Sequence, residues 1–464
     1  MSTASPESGG ESRSRYPTLV LLTTLTGMFA TTFPVTVLTV AIPDMAGELH
    51  TTPRTLAWVV TLPLLVSAVV TPVLGKLGDL YGHRRVFLVG FASAAVATAA
   101  TSTAWNALTL ISWRTLTQMM GAATGPTSMA LINSVYPPER RVRAMGWWAM
   151  VAAGSPAIGL ALGGPLIESV GWRALFLIQA VLMAIAVLVA AAVLQETQRR
   201  RVVRFDVAGS VTLMVGTACL MFVLSQTPEW GITHPWVLAC ALVSPAALVA
   251  FVHAERRAVD PLLPLGLFRG GDFVPAGCGA LFAGASYMGA YFLAPILLIE
   301  LFGYSKSLTS WMLLVRPVVF SASSPMGGAV GVRWGEKRTA VVGSVVMTVG
   351  IAAIALGALA QSVSSVLAGF VLQGMGHGLL RPPLSAALAN SVGRDSLGIA
   401  GAAERMAFQV GASFGVTALT VAYAGSDTPE RFALAFGVGA VLSTGVLVAS
   451  LALSARRGGE LGDR

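Results

Sequence analysis

Long, nearly unbroken apolar runs dominate the chain, separated by short stretches where Gly, Pro and charged residues gather. About 20 apolar residues suffice for a helix to cross a bilayer. The runs fall near 17–43, 53–74, 85–104, 107–135, 143–167, 172–194, 205–226, 234–253, 274–300, 306–330, 338–360, 363–391, 398–424 and 430–455. They predict fourteen membrane spans; a count of twelve would require 205–253 to be something other than a membrane hairpin. In lipid every backbone N–H and C=O needs an internal partner, so spans are helices or closed strands. Continuous runs, rather than short alternating ones, select helices over a barrel. The expected class is an all-α polytopic membrane protein.

Composition strengthens this reading. The chain is 55% apolar and only 11% charged, with a mean hydropathy of +0.74, where soluble chains carry about 25% charged residues. The net charge of +9 raises nucleic acid as a partner, but its distribution argues otherwise. Lys76, Arg84, Arg85, Arg140, Arg141, Arg143, Arg199, Arg200, Arg201, Arg204, Arg256, Arg257, Arg269, Arg333, Lys337, Arg338 and Arg394 fall in loops on one side, with Arg13, Arg15, Arg456, Arg457 and Arg464 in the tails. The opposite side holds Arg54, Arg173, Lys306 and Arg431. The positive-inside rule then puts both termini in the cytoplasm. This is a multi-pass protein of the cell (cytoplasmic) membrane with no nucleic-acid partner. Cys219, Cys240 and Cys278 are odd in number and lie inside apolar runs, so no disulfide framework or metal spacing follows. The polar residues before Tyr16 read as a disordered tail, and the first apolar run as a retained span.

The chain also repeats. Gly75-Lys76-Leu77-Gly78-Asp79-Leu80-Tyr81-Gly82-His83-Arg84-Arg85 follows the second span, and Gly328-Ala329-Val330-Gly331-Val332-Arg333-Trp334-Gly335-Glu336-Lys337-Arg338 follows the tenth. Glycines, the aromatic and the basic pair keep register, and each copy has a proline three residues earlier, Pro72 and Pro325. Any tight basic turn favours Gly and Arg, but agreement at so many offsets favours duplication. The organisation is then a tail (1–16), a six-helix bundle (17–194), an inserted hairpin (205–253), a second six-helix bundle (274–455) and a tail (456–464). Repeated bundles with a site at their interface are how secondary transporters alternate access.

These residues resemble the major facilitator superfamily. In its cytoplasmic signature an Asp and basic residues latch the two halves. The resemblance implies that Gly75, Asp79, Gly82, Arg84 and Arg85 form that latch, with Leu80 and His83 replacing two usual basic residues. Glycines allow close helix approach, and an acid can cap a neighbouring helix N-terminus. Arg114 stands at the basic position of the family's fourth-span motif, with Pro126 in register, while Thr117, Gln118 and Met120 depart from it. Gly159, Gly163 and Gly164, with the exit Glu168-Ser169-Val170-Gly171-Trp172-Arg173, resemble the antiporter motif, although Leu160 replaces its Pro. Small residues at that spacing are also a packing signal. Phe205 to Gly209, Glu229-Trp230-Gly231 and Asp260-Pro261-Leu262-Leu263 resemble the fourteen-span drug:proton antiporter branch. One departure stands out: Pro34 and Thr39 occupy the first-span positions where that branch carries an acid and an Asn.

A proton-coupled carrier needs a titratable group reachable from each side in turn. Glu168 and Glu300 sit at outer boundaries, whereas Glu404 lies about two turns inside the thirteenth span. It serves proton coupling or merely neutralises an Arg. Its neighbour Arg405 points elsewhere, and Arg381 on the preceding span is the better partner. Arg114, Arg316, Arg381 and Arg405 all lie within spans. If they line the cavity, their field favours neutral or anionic substrates; the alternatives are snorkelling or carbonyl tethers. His377 titrates near neutral pH or is a packing residue. Tyr287, Tyr291 and Trp148 are pocket candidates, each with a packing reading beside it. The leading function is export of amphipathic small organic molecules, such as drugs, antibiotics or a natural product, by a monomer. It runs by proton antiport, using the proton gradient and no bound cofactor. A lipid translocase and a non-transporting membrane sensor are the alternatives. No His-Glu-x-x-His or phosphate loop suggests an enzyme.

Overall fold

The computed structural model describes residues 8–51, 53–56, 58–197, 206–259, 261–269, 271–393, 396–423 and 428–454. Arg199, Arg200, Arg201, Arg204, Phe205, Asp260, Arg394, Arg456, Arg457 and Arg464 lie outside them. So do the side chains of Arg13, Arg15, Pro34, Thr39, Arg54, Leu160, Glu168, Glu229 and Lys306, and the surroundings of Gly163 and Gly164.

The described chain is helical throughout: α1 (Ser8–Glu48), α2 (Pro53–Leu56), α3 (Trp58–Tyr81), α4 (His83–Thr101), α5 (Ala107–Gly121), α6 (Thr124–Val135) and α7 (Pro138–Val193) form the first half. An inserted pair follows, α8 (Val207–Trp230) and α9 (Pro235–Arg257). The second half is α10 (Phe273–Ile296), α11 (Lys306–Trp334), α12 (Glu336–Leu359), α13 (Val363–Asn390), α14 (Leu397–Tyr423) and α15 (Pro429–Ala452). Because α7 is two helices joined at Gly171 (φ 74°, ψ 162°), these elements make fourteen helical passages. Nine of them, from Ser169–Val193 to Pro429–Ala452, are long and apolar enough to cross a membrane on length and composition alone.

Three local features differ from the sequence reading. The first helix starts at Ser8, inside the stretch expected to be a tail. The fourth span is broken into α5 and α6 at Ala122 and Ala123. Pro126 lacks the N–H that would bond the carbonyl of Ala122, so the ladder opens there. After Pro295, likewise, α10 widens into a π turn over Leu297–Leu301.

The halves meet along two seams, α3 with α14 and α7 with α11, and α6 also packs on α14. The inserted α8 and α9 pair with each other, and α8 lies against both α3 and α14 beside the first seam. Asp206 caps α8 by accepting from Gly209 N (2.7 Å). At the exit of α9, the carboxylate of Glu255 accepts from Leu262 N and Leu263 N (3.0 and 3.1 Å), fixing the linker into the second half.

The sequence repeat is a structural repeat. Gly82 (φ 99°) turns α3 into α4, and Gly335 (φ 85°) turns α11 into α12. Two turns earlier the equivalent Gly75 and Gly328 make the seams possible. A Cβ on Gly75 would sit 2.6 Å from Gly398 O on α14, and one on Gly328 would sit 2.8 Å from Val142 O on α7. The facing glycines are Gly398 and Gly146, whose own Cβ atoms would lie 2.5 Å from Gly75 O and 2.8 Å from Ser324 O. Both seams close backbone to backbone at the same end of the bundle, the end that carries the basic loops.

Candidate functional site

At that basic end, Asp79 reaches from α3 into the other half. Its two carboxylate oxygens accept from Gly398 N (2.9 Å) and Ile399 N (3.0 Å), the free amides of the first turn of α14. Helix N-termini carry unpaired donors and partial positive charge, so a buried carboxylate is stabilised there. The Nε2 atom of His83 lies 3.1 Å from Asp79 Oδ1, taking the position of a missing basic side chain.

Arg84 and Arg85 do not share this role. Arg84 N donates to Glu196 Oε1 (3.2 Å) and its Nη2 to Ala191 O (2.7 Å), and Arg85 Nε lies 3.9 Å from Glu196 Oε2. In this structure both bind the end of α7 and the residues just after it, within their own half. Side chains read earlier only as topology signals reach beyond the first half, Lys76 into the linker after α9 and Arg141 into the second half. Lys76 Nζ donates to Pro261 O (2.7 Å). Arg141 Nη1 donates to Asn390 Oδ1 (2.8 Å), and Asn390 Nδ2 to Glu336 Oε1 (2.7 Å), tying α7 to α13 and α12.

Deeper in the second half, a chain of polar and aromatic side chains is buried among α10, α11, α13 and α14. Glu404, 1% exposed, pairs with Arg381 (Nε to Oε1, 3.2 Å) and accepts from Ser385 Oγ (2.7 Å). Arg381 and Ser385 are one turn apart on α13, so both project to the same point of α14. The Arg381 guanidinium also lies over the Phe408 ring at 4.3 Å. His377, one turn before Arg381, stacks on Tyr287 (4.2 Å, 18°) and meets Phe320 edge-on at 4.7 Å. Arg316 is fully buried, donates from Nη2 to Tyr287 O (3.1 Å), and lies 5.2 and 5.1 Å from the Tyr287 and Tyr291 rings. Cation–π attraction of this kind strengthens when water is excluded.

Several atoms in this chain lack a hydrogen-bond partner among the described residues: Glu404 Oε2, Arg381 Nη1, His377 Nδ1, and Arg316 Nε and Nη1. Buried polar atoms are normally paired, so this cluster stands out from the packing around it.

The other sequence candidates fall around it. Arg405 turns away from Glu404, toward Gly125 of α6, where a Cβ would lie 3.3 Å from its Nη1. Trp148 is buried, donates to Ser128 Oγ (3.1 Å), and packs in one cluster with Tyr287 and Phe320. Tyr291 stacks on Tyr287 at 6.5 Å. Arg114 stands apart in the first half, buried under Phe176 (5.3 Å), its Nε and Nη1 without partners among the described residues. Gly159 is buried within α7, and Glu300 is exposed. Sequence reasoning missed Ser385, Phe408 and Phe320. The spacing of Ser385 from Arg381 was a visible signal; the two aromatics gave none. Among the described residues no cluster of His, Cys, Asp and Glu could hold a metal ion.

The family model described as Major Facilitator Superfamily matches residues 24–268 and 276–462. The tetracenomycin C resistance and export protein of Streptomyces glaucescens is 29% identical over 435 residues, covering 92% of this chain and 80% of that protein. The methylenomycin A resistance protein of Streptomyces coelicolor is 28% identical over 446 residues (94% and 91%). The multidrug transporter protein MdtP of Bacillus subtilis is 27% identical over 403 residues (87% and 74%). Among solved structures, the human organic anion transporter MFSD10 (TETRAN) shares the fold with a TM-score of 0.69 at 16% identity, covering 94% of this chain and 99% of that one.

Proposed function

The chain belongs to the Major Facilitator Superfamily, a family of transporters rather than enzymes, and from that premise we propose that it exports amphipathic small organic molecules in exchange for protons. The relatives named for antibiotic or multidrug export support the substrate class. The basic loops support a cytoplasmic-membrane orientation with both termini inside. Two bundles, 17–194 and 274–455, would move against each other, with the 205–253 hairpin riding beside the α3–α14 seam. The working unit is a monomer driven by the proton gradient.

The observation that carries the coupling is the Arg381–Glu404 pair. Glu404 pairs with Arg381 through Oε1, and its Oε2 has no competing donor among the described residues. A proton arriving at that oxygen would neutralise the carboxylate and release Arg381 to an incoming substrate. When Arg381 returns, the proton leaves. Glu404 sits seven residues into α14, about 10 Å from its start at 1.5 Å per residue, while the first turn is held by Asp79. One helix therefore carries both the exchangeable pair and the seal of the cytoplasmic side. Within the spans of the second half Arg316, Arg381 and Arg405 outnumber Glu404 among the described residues, and Arg114 adds a fourth in-span cation in the first half, which favours neutral or anionic substrates over permanent cations.

The test is flux in proteoliposomes under an imposed pH gradient, with anionic, neutral and cationic amphipathic compounds. Exported compounds should dissipate the gradient. No dissipation by any compound would overturn the antiport reading, and preferential export of permanent cations would overturn the charge argument.

A further inference from the structure

A cavity lies between α1 and α7 at the basic end. It encloses about 730 Å3, with Leu22 and Phe29 on one wall and Arg143, Trp147 and Val151 on the other; Arg140 and Tyr136 stand at its mouth. That volume falls in the range of about 300–1,000 Å3 typical of small-ligand sites.

Three observations identify its occupant. Direction comes first. Leu21, Leu25 and Ala144 form its floor and belong to the cluster with Tyr287 and Phe320 at the seam; helix residues turn by about 100° each, so Trp147 points almost opposite to Met145 of that cluster. The groove thus has its floor on the seam cluster and its open side on exposed apolar residues, Leu22 at 57% and Trp147 at 40%, the side a bilayer covers. Charge is the second. Arg140 and Arg143 are exposed one turn apart, and no carboxylate lines the cavity among the described residues. Length is the third. From Arg140 to Val151 the helix rises about 16 Å, and one leaflet of hydrocarbon is roughly 15 Å deep.

We propose that this groove binds one anionic phospholipid, its phosphate on Arg140 and Arg143 and an acyl chain along Leu22, Phe29, Trp147 and Val151. Tyr136 offers its phenol to the same headgroup; burial raises its pKa, so it remains a donor. The site sits on the turn of α7 that also presents Arg141 to Asn390 and Ala389 of the other half. A lipid held there supports the closed seam from outside. The inference rests on the fold and the membrane, and its test needs no transport.

The full chain, in detergent, is titrated with phosphatidylglycerol or phosphatidylcholine brominated on the acyl chain while tryptophan fluorescence is read. The chain has 10 Trp, so the difference between wild type and Trp147→Phe isolates the groove. The anionic lipid should quench Trp147 at lower mole fraction, by about 5-fold per arginine and roughly 30-fold for both. Arg140→Gln with Arg143→Gln should bring the two lipids to parity, whereas the Lys pair should retain most of the preference. Equal quenching by the two lipids in the wild type, or a preference untouched by the Gln pair, would overturn the proposal. So would quenching that an amphipathic drug abolishes while showing no lipid preference, since that outcome assigns the groove to substrate entry.

Discussion

Arg381 on α13 and Glu404 on α14 face each other at 3.2 Å inside the second half, with Glu404 1% exposed and Ser385 completing its contacts. Breaking a buried pair by removing one partner leaves an uncompensated charge and costs about 3–5 kcal/mol, while replacing both partners by neutral groups is much cheaper. Glu404→Gln keeps the shape and an acceptor for Ser385. It should fold, retain exchange of labelled substrate without a gradient, and lose at least about tenfold of gradient-driven flux. Full proton-driven flux in Glu404→Gln would remove this residue from the mechanism. Arg381→Met alone should lower the unfolding temperature more than Arg381→Met combined with Glu404→Gln.

Asp79 holds the first turn of α14 through two amides. Asp79→Asn keeps one acceptor but loses the charge that favours a helix N-terminus, a loss of about 1–2 kcal/mol. That corresponds to roughly a five- to thirtyfold shift from closed to open at the basic end. Spin labels across the α3–α14 seam should report a broader, longer distance in Asp79→Asn. Arg85→Gln, whose contacts stay within the first half, should leave the distribution unchanged.

Much of this architecture is legible in the sequence because the bilayer imposes it. Apolar runs of fixed length, a basic excess on one side and a repeated Gly-rich turn each follow from one local rule. The Arg381–Glu404 pair is legible too, since a buried acid must find a cation and few stand at its depth. Contacts set by distant approach are not. Lys76 finds Pro261 O and Arg141 finds Asn390 only once the seams close. Arg84 and Arg85 follow the family's motif, yet the partner they meet is Glu196 of their own half. The break before Pro126 was available from the proline alone, but the surrounding apolar run masked it.

The seam glycines make a sharp prediction because the obstacle is backbone. A Cβ on Gly75 or Gly328 meets a carbonyl oxygen of the opposite half at 2.6 or 2.8 Å, which no rotamer change relieves. Gly75→Ala and Gly328→Ala should each hold the basic end apart, shift cross-seam labels to longer distance and reduce flux severalfold. Gly47→Ala, with nothing within 4 Å, should be neutral in both assays. Wild-type distances in either seam variant would show that the two helices slide rather than close backbone to backbone.

At the opposite end, Glu48 provides a pH-dependent tie within the first half. Its Oε1 accepts from Arg173 Nε (2.8 Å) and its Oε2 from Trp172 Nε1 (2.6 Å), while Arg173 Nη1 also donates to Ser102 O and Ala104 O (both 2.8 Å). The hydrogen bond from Arg173 holds the Glu48 carboxyl below the usual carboxylate range, against a smaller opposing push from desolvation. A depressed acid stabilises the fold fully above its unfolded value near 4.5, and that contribution is lost as pH falls through the lower folded value. The pair is half exposed, so it is worth no more than about 1 kcal/mol. Glu48→Gln should therefore lower the neutral-pH unfolding temperature slightly and flatten its decline below about pH 4.5. Arg173→Ala should cost more, about 2 kcal/mol, because two carbonyls lose their donor as well. An acid-side decline as steep in Glu48→Gln as in the wild type would assign that sensitivity to another carboxylate.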